Sequence, residues 1–432
     1  MEKEEIPSYT LPEAIAEAKR CLKCKTPMCR TGCPIENDIP AFNTALSQAN
    51  IGEAYAIIAQ RSNLPAVCGR VCPHEVQCEG HCILNKAKKP AINIGRIERF
   101  IADFEAEQQL TKLKKPLHTQ GKVAVVGSGP AGLACAGDLA KNGYEVVAYE
   151  RDLELGGVLT YGIPEFRLPK SVVRREVERL QTMGVTFKTG VSFGKDITLE
   201  SLQAEGFDAV FLGIGATMPK KLGVPGEGAE GSVEALNFLH KVHDFEAGAI
   251  KRSEVPIAEG DEVVVVGAGN VAMDACRMAV RMGAKKVTVC YRRTIECMRA
   301  ARAEYDGAVS DGVVFKWEHV PVAFELNNGK VAGFRAKTAS GEVVIPATKI
   351  VAAIGSGPAP TLQSYSLLRF DDGGYITTQQ EPYYGATGVA GVFAAGDIVH
   401  RPQTVVLAMR EGKKIAVGID SYCKTQQQVA NR

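Results

Sequence analysis

The sequence predicts an α/β chain with two Rossmann-like dinucleotide-binding domains preceded by a cysteine-rich helical domain. Three observations predict it. The segment from Lys122 to Arg151 reads as a buried strand, a glycine-rich turn, a helix and a second strand. The segment from Glu262 to Arg293 repeats that pattern. Strands alternating with helices imply parallel sheets. The third observation is that eight of the 13 cysteines lie between Cys21 and Cys82.

The chain has 432 residues, 45% hydrophobic and 23% charged, which is long enough for two or three domains. A formal net charge of +2 gives no field to recruit nucleic acid or acidic lipid. No apolar run approaches the ~18 residues of a membrane span. The acidic, polar start MEKEEIPSYTLPEA lacks the basic and apolar stretches of a secretory signal. The expectation is a soluble cytoplasmic protein. In a reducing compartment a cysteine cluster favours metal over disulfides.

Composition splits the chain. Residues 1–115 are cysteine-rich, with helical stretches such as LPEAIAEAKR and IGEAYAIIAQR. Residues 116–432 hold most of the 44 glycines. The basic joint TKLKKPLHTQG separates them.

The first run, C-x2-C-x4-C-x3-C-P, contains Cys21, Cys24, Cys29 and Cys33. The second contains Cys68, Cys72, Cys78 and Cys82. The first spacing resembles that of ferredoxins, in which the fourth cysteine of a run commonly serves the other cluster. Four-cysteine zinc sites usually show two matched CxxC pairs, whereas CxxC occurs once here. Iron–sulfur clusters are therefore expected, with zinc as the competing reading.

Gly127-Ser-Gly129-Pro130-Ala131-Gly132 directly follows the strand VAVV. Gly127 permits the tight turn, Gly129 lets a pyrophosphate approach the backbone, and Gly132 lets helix and strand pack closely. The next strand ends at Glu150, where a carboxylate can meet a ribose 2′-hydroxyl. Near the end, VFAAGDIV runs a strand into Gly396-Asp397. This is similar to the second FAD motif of two-dinucleotide flavoproteins, and it argues for FAD in the first fold, together with the LGGVLTYGIPEFRLPK segment that holds Gly157.

The second fingerprint, Gly267-Ala-Gly269-Asn270-Val271-Ala272, replaces the third glycine by alanine, an allowed variant. Its second strand ends not in an acid but in Tyr291-Arg292-Arg293. Two guanidinium groups there suit a 2′-phosphate, so NADPH is favoured over NADH. No nucleophile–base set is present, and no catalytic side chain is assigned; the flavin carries the chemistry.

These motifs, together with CGxVCPxxxxC, INIG, YGIPEFRLPK and VGAGNVAMD, resemble the family of the glutamate synthase small (β) subunit. The family includes the N-terminal half of dihydropyrimidine dehydrogenase and the large subunit of ferredoxin:NADP transhydrogenases. The resemblance implies two [4Fe–4S] clusters in a helical domain (1–115), an FAD domain (116–217 and 356–432) and an inserted NADPH domain (218–355). It implies one cluster on Cys21, Cys24, Cys29 and Cys82. The other takes Cys33, Cys72 and Cys78, with Glu98 as fourth ligand; the alternative is that Cys68 ligates and Glu98 is an ordinary helix residue. It also implies FAD contacts at Glu150, Arg167, Asp397 and the turn Gln403-Thr404-Val405. Arg299 stands where relatives with arginine reach the NADP phosphate. Hydride would pass between nicotinamide and flavin where the two domains meet. Neither a substrate barrel nor an amidotransferase is expected in the chain. The expected role is an electron-input subunit serving a catalytic or iron–sulfur partner subunit, ferredoxin among the candidates, in either direction of flow. The alternatives are a stand-alone NADPH diaphorase-like reductase and a glutamate synthase small chain proper.

Overall fold

The computed structural model describes residues 4–112, 115–360, 362, 365 and 367–430. Two residues of the expected joint, Leu113 and Lys114, lie outside the described residues. The chain divides into two compact units. The first comprises residues 1–160, 165–216 and 358–432, and the second residues 161–164 and 217–357.

The cysteine-rich segment belongs to the first unit and is helical. Its main helices are Leu11–Lys19, Ile39–Ser47, Ile51–Ala59, Pro65–Val71 and Ile94–Gln108. Local chemistry starts them. Glu13 accepts from the Thr10 N–H at 2.8 Å, Asp38 from the Ala41 N–H at 3.3 Å, and Asn50 from the Glu53 N–H at 3.3 Å. In the longest of the five, Ile94, Ile97, Glu98, Ile101 and Glu105 are buried at helical spacing. Two of those buried positions are acids. Glu105 is matched by Arg179 at 2.7 Å, whereas Glu98 faces cysteines.

The rest of the first unit is built on a parallel sheet. Its strands lie in the order Val392–Ala394, Ala209–Leu212, Lys122–Val126, Glu145–Tyr149, Thr186–Lys188. Val123–Val125 and Val146 are fully buried, as expected of strands covered on both faces. Helix Pro130–Lys141 follows the first glycine turn, and the 26-residue helix Val405–Ala430 packs along it. That packing requires Gly412, because a Cβ there would collide with the Ala131 carbonyl.

The second unit repeats the design. Its parallel order is Ser232–Glu234, Lys349–Ala352, Glu262–Val266, Lys286–Cys290, Val314–Lys316. An antiparallel meander, Val320–Asn327, Lys330–Thr338 and Gly341–Pro346, is interposed before strand Lys349–Ala352 returns the chain to the sheet. Phe324, Phe334 and Ile345 on its inner face join the core of Val264 and Ile350. Among the described residues no helix is long and apolar enough to cross a membrane.

Candidate functional site

The folded helices bring Cys21, Cys24, Cys29 and Cys82 to one pocket, which Ile39, Asn43 and Ile94 also line. Cys82 lies more than fifty positions from the other three cysteines, so its joining them is tertiary and not a product of local spacing. Burial pushes the Cys29 thiol up to about 11, and the nearby Cys21 adds to the effect. Buried thiols held neutral by desolvation become thiolates when a metal compensates their charge. Asn43 Oδ1 is buried without a partner at this pocket, a polar atom that sequence reasoning missed.

Cys33, Cys72, Cys78, Cys68 and Glu98 form a second neighbourhood, each within electrostatic reach of others in the group. Burial pushes the Glu98 carboxyl up to about 8. The Asn37 side-chain amide donates to it at 3.5 Å. A buried acid with no cation beside it has the character of a group awaiting a positive partner. Cys68 differs in its surroundings: its thiol meets Ser62 Oγ at 3.8 Å and Met409 Sδ at 3.6 Å. Among the described residues, no three His, Cys, Asp or Glu side chains converge tightly enough for a single metal ion. A cubane spreads its four thiolates over different irons and so requires a looser set than tetrahedral zinc. The donor sets suit clusters.

The first glycine turn has the shape of an anion cradle. Gly127 has φ +101°, and a Cβ there would lie 2.5 Å from the Gly213 carbonyl oxygen. A Cβ on Gly129 would meet nothing within 4 Å, so the space before the helix N-terminus is open. Pro130 and Ala131 begin that helix. Glu150 Oε2 accepts from Ser128 N at 2.9 Å and Ser128 Oγ at 2.5 Å. The carboxylate thus grips the turn itself, and the role of Ser128 was not legible in the GxGxxG pattern. Gly157 packs against the turn, since a Cβ there would be 3.1 Å from Gly129 Cα.

From the other end of the chain, Gly396 comes to the same turn: a Cβ on it would lie 3.1 Å from the Ala131 Cβ. Burial pushes the adjacent Asp397 up to about 6, while the Gln403 N–H, 3.4 Å away, opposes that shift. Thr404 Oγ1 is buried with no hydrogen-bond partner, at the start of the helix that begins with Val405. An open cradle, a buried acid and an orphaned hydroxyl all fit a dinucleotide. Arg167 stands half-buried in the loop before helix Lys170–Thr182.

In the second unit Gly267 has φ +136° and Gly269 again faces open space. The loop after strand Lys286–Cys290 folds back over this turn. The Arg299 and Ala300 N–H groups donate to the Ala268 carbonyl at 3.1 and 3.2 Å, and the Ala301 N–H donates to Asn270 Oδ1 at 3.0 Å. Arg292, Arg293 and Arg299 are exposed, and no carboxylate pairs with them among the described residues. Val271 lies in the first turn of helix Asn270–Arg281.

This arrangement defines a class: a pyridine-nucleotide oxidoreductase with two dinucleotide folds and an iron–sulfur domain. Residues 2–110 match the family described as dihydropyrimidine dehydrogenase domain II, 4Fe-4S cluster, and residues 121–412 match pyridine nucleotide-disulphide oxidoreductase. The glutamate synthase [NADPH] small chain of Escherichia coli (strain K12) is 39% identical over 436 residues, covering 95% of this chain and 91% of that one. The NAD-dependent dihydropyrimidine dehydrogenase subunit PreT of the same organism is 34% identical, covering 96% of each. Among solved structures, Mycobacterium tuberculosis FprA in complex with NADPH aligns with a TM-score of 0.59 at 19% identity, over 72% of this chain and 86% of that one, a likeness of fold. The chain belongs to the pyridine nucleotide-disulphide oxidoreductases and, within them, to the family of the glutamate synthase small chain.

Proposed function

We propose that this chain is a cytoplasmic electron-input subunit. It moves hydride between NADPH and FAD, and single electrons between FAD and two [4Fe–4S] clusters, on behalf of a partner subunit that holds a substrate site or further clusters. The observation that carries the reading is the convergence of Cys21, Cys24, Cys29 and Cys82 on one pocket within the unit that also contains the first glycine turn. A two-electron donor site and one-electron sites in a single compact unit suit a converter of electron pairs. Bound FAD supplies hydride acceptance and one-electron release.

The chain's own residues bind and orient. The open cradle at Gly129 and the N-terminus of helix Pro130–Lys141 suit a pyrophosphate. Asp397 and Thr404 offer polar atoms beside it. Arg292, Arg293 and Arg299 offer three unpaired cations at the second glycine turn, which supports NADPH. The names of the relatives do not decide this point, since one carries NADPH and another NAD. Cys33, Cys72, Cys78 and Glu98 form the second donor set, with Glu98 favoured over Cys68 because it has no other strong partner.

The test is composition after anaerobic purification. The expected content is one FAD and about eight irons per chain, falling to about four in Cys29→Ser. Stoichiometric zinc with no iron would overturn the reading. Turnover of a small acceptor as fast alone as with a partner would instead favour a stand-alone reductase.

A further inference from the structure

Helix Ile39–Ser47 breaks a local rule at its centre. Asn43 is fully buried there, one turn after Ile39 and between the buried Phe42 and Leu46. Asparagine is a poor residue for a helix interior, because its amide competes for backbone partners. A buried amide also costs stability when its hydrogen bonds are not made. Of the four bonds the Asn43 side chain can form, one is present among the described residues: Nδ2 donates to the Ile39 carbonyl at 2.8 Å. The second N–H of the amide and Oδ1 are left without a protein partner.

Asn43 lines the pocket of Cys21, Cys24, Cys29 and Cys82, and its chemistry differs from the rest of that wall. Apart from the four cysteines, all the other lining residues are Leu, Ile, Met or Pro. The sulfurs of Cys21 and Cys29 receive backbone N–H groups, from Lys23 and Arg30, which come with the chain path of the cysteine run itself. Asn43 arrives from a separate helix, and among the described residues of the wall it is the one whose side chain carries an amide N–H. An aliphatic side chain would suit a wall of this composition without leaving a polar atom unpaired.

We infer that the Asn43 amide donates a hydrogen bond to the sulfur atoms of the cluster held by Cys21, Cys24, Cys29 and Cys82, and so sets the reduction potential of that site above the value its apolar wall alone would give. The inference rests on the ligand set proposed above. Reduction adds one negative charge to the site. A fixed N–H dipole stabilises the reduced form more than the oxidised one, whereas an apolar wall opposes the added charge. Asn43 is neither a ligand nor a redox group; it acts through the sulfurs it faces.

The experiment compares the anaerobic holoprotein with Asn43→Leu, which keeps the number and branching of side-chain heavy atoms and loses the donor. Both are poised with mediators and photoreduction and followed by EPR, and the signal of this cluster is the one that Cys29→Ser removes. The expected result for Asn43→Leu is full iron content with a midpoint shifted to more negative potential. At a given poise the reduced-to-oxidised ratio of this cluster should fall roughly tenfold, about 59 mV for a one-electron couple, while the midpoint of the second cluster stays unchanged. An unchanged midpoint at full iron content would overturn the inference, since that is what a purely structural asparagine predicts. If Asn43→Leu fails to assemble, the wild type decides. Asparagine isotopically labelled in its side-chain nitrogen should give a nitrogen coupling in pulsed EPR on the same signal, and a spectrum without that coupling would overturn the inference. A Cys29→Ser protein that keeps about eight irons would instead overturn the ligand set.

Discussion

Gly129 and Gly132 sit three residues apart in one fingerprint, yet an alanine at each should fail in a different way. At Gly129 the backbone φ is −67°, which alanine adopts freely, and the added Cβ meets no protein atom within 4 Å. Fold stability should change by under about 1 kcal/mol, the usual scale for a helix N-cap exchange. The methyl instead enters the space assigned to the FAD pyrophosphate. Overpacking of about 1–3 kcal/mol then weakens FAD roughly 5- to 150-fold. At Gly132 the Cβ would collide with the carbonyl group of Gly127, a backbone neighbour that no rotamer change can move aside. Helix Pro130–Lys141 would have to move off its strand, at a cost of about 3 kcal/mol or more. The assay is FAD dissociation by flavin fluorescence, together with thermal unfolding of the FAD-stripped proteins. The expected outcome is Gly129→Ala with wild-type Tm and weak FAD, and Gly132→Ala with a Tm lower by several degrees. A Gly129→Ala protein that binds FAD as the wild type does would refute the cradle assignment.

Arg299→Ala should raise the KM for NADPH roughly 10- to 150-fold, the value of one charged hydrogen bond of about 1.5–3 kcal/mol, and leave the KM for NADH unchanged. Equal effects on both coenzymes would remove the 2′-phosphate role. Glu98→Ala should lose one cluster by iron count and EPR while Cys68→Ser keeps both, and the opposite pattern would exchange their roles. At Asp103, burial pushes the carboxyl up, but bonds from Arg70 and Arg175 at 2.7 Å outweigh it and hold the group below its ordinary range. A depressed folded-state value gives stability that is present above the unfolded value, about 4, and is lost as pH falls through the folded one. Asp103→Asn should therefore be about 1.5–3 kcal/mol less stable at neutral pH in urea unfolding, with the difference vanishing in acid. A difference independent of pH would show that packing, not charge, is lost.

Much of the architecture was legible because its signals are local. VAVV and VVVV are buried strands, each followed directly by a glycine, Gly127 or Gly267, whose positive φ and close approach to a carbonyl disfavour any side chain. The cysteine spacing points to iron–sulfur clusters over zinc because CxxC occurs only once in it. Four things were not legible, and each is tertiary. Gly412 looks like an interruption in a helix, and only the packing of that helix on Ala131 explains it. Ser128 reads as the variable residue of the fingerprint but holds Glu150 from both its nitrogen and its hydroxyl. The meander of residues 320–346 has no periodicity that reveals where it packs, because its inner face alternates into a core made by another sheet. The contact between Cys68 and Met409 spans 341 positions, beyond any pattern in the chain.

The central claim is that an electron pair enters from NADPH and leaves as single electrons, and anaerobic titration with NADPH, followed by visible absorbance and EPR, tests it most directly. The expected result is flavin bleaching with far less NADPH than NADH, accompanied by a reduced-cluster EPR signal. A protein that shows flavin and cluster absorbance yet responds to neither nucleotide would contradict it, and would place the entry of electrons on the partner side.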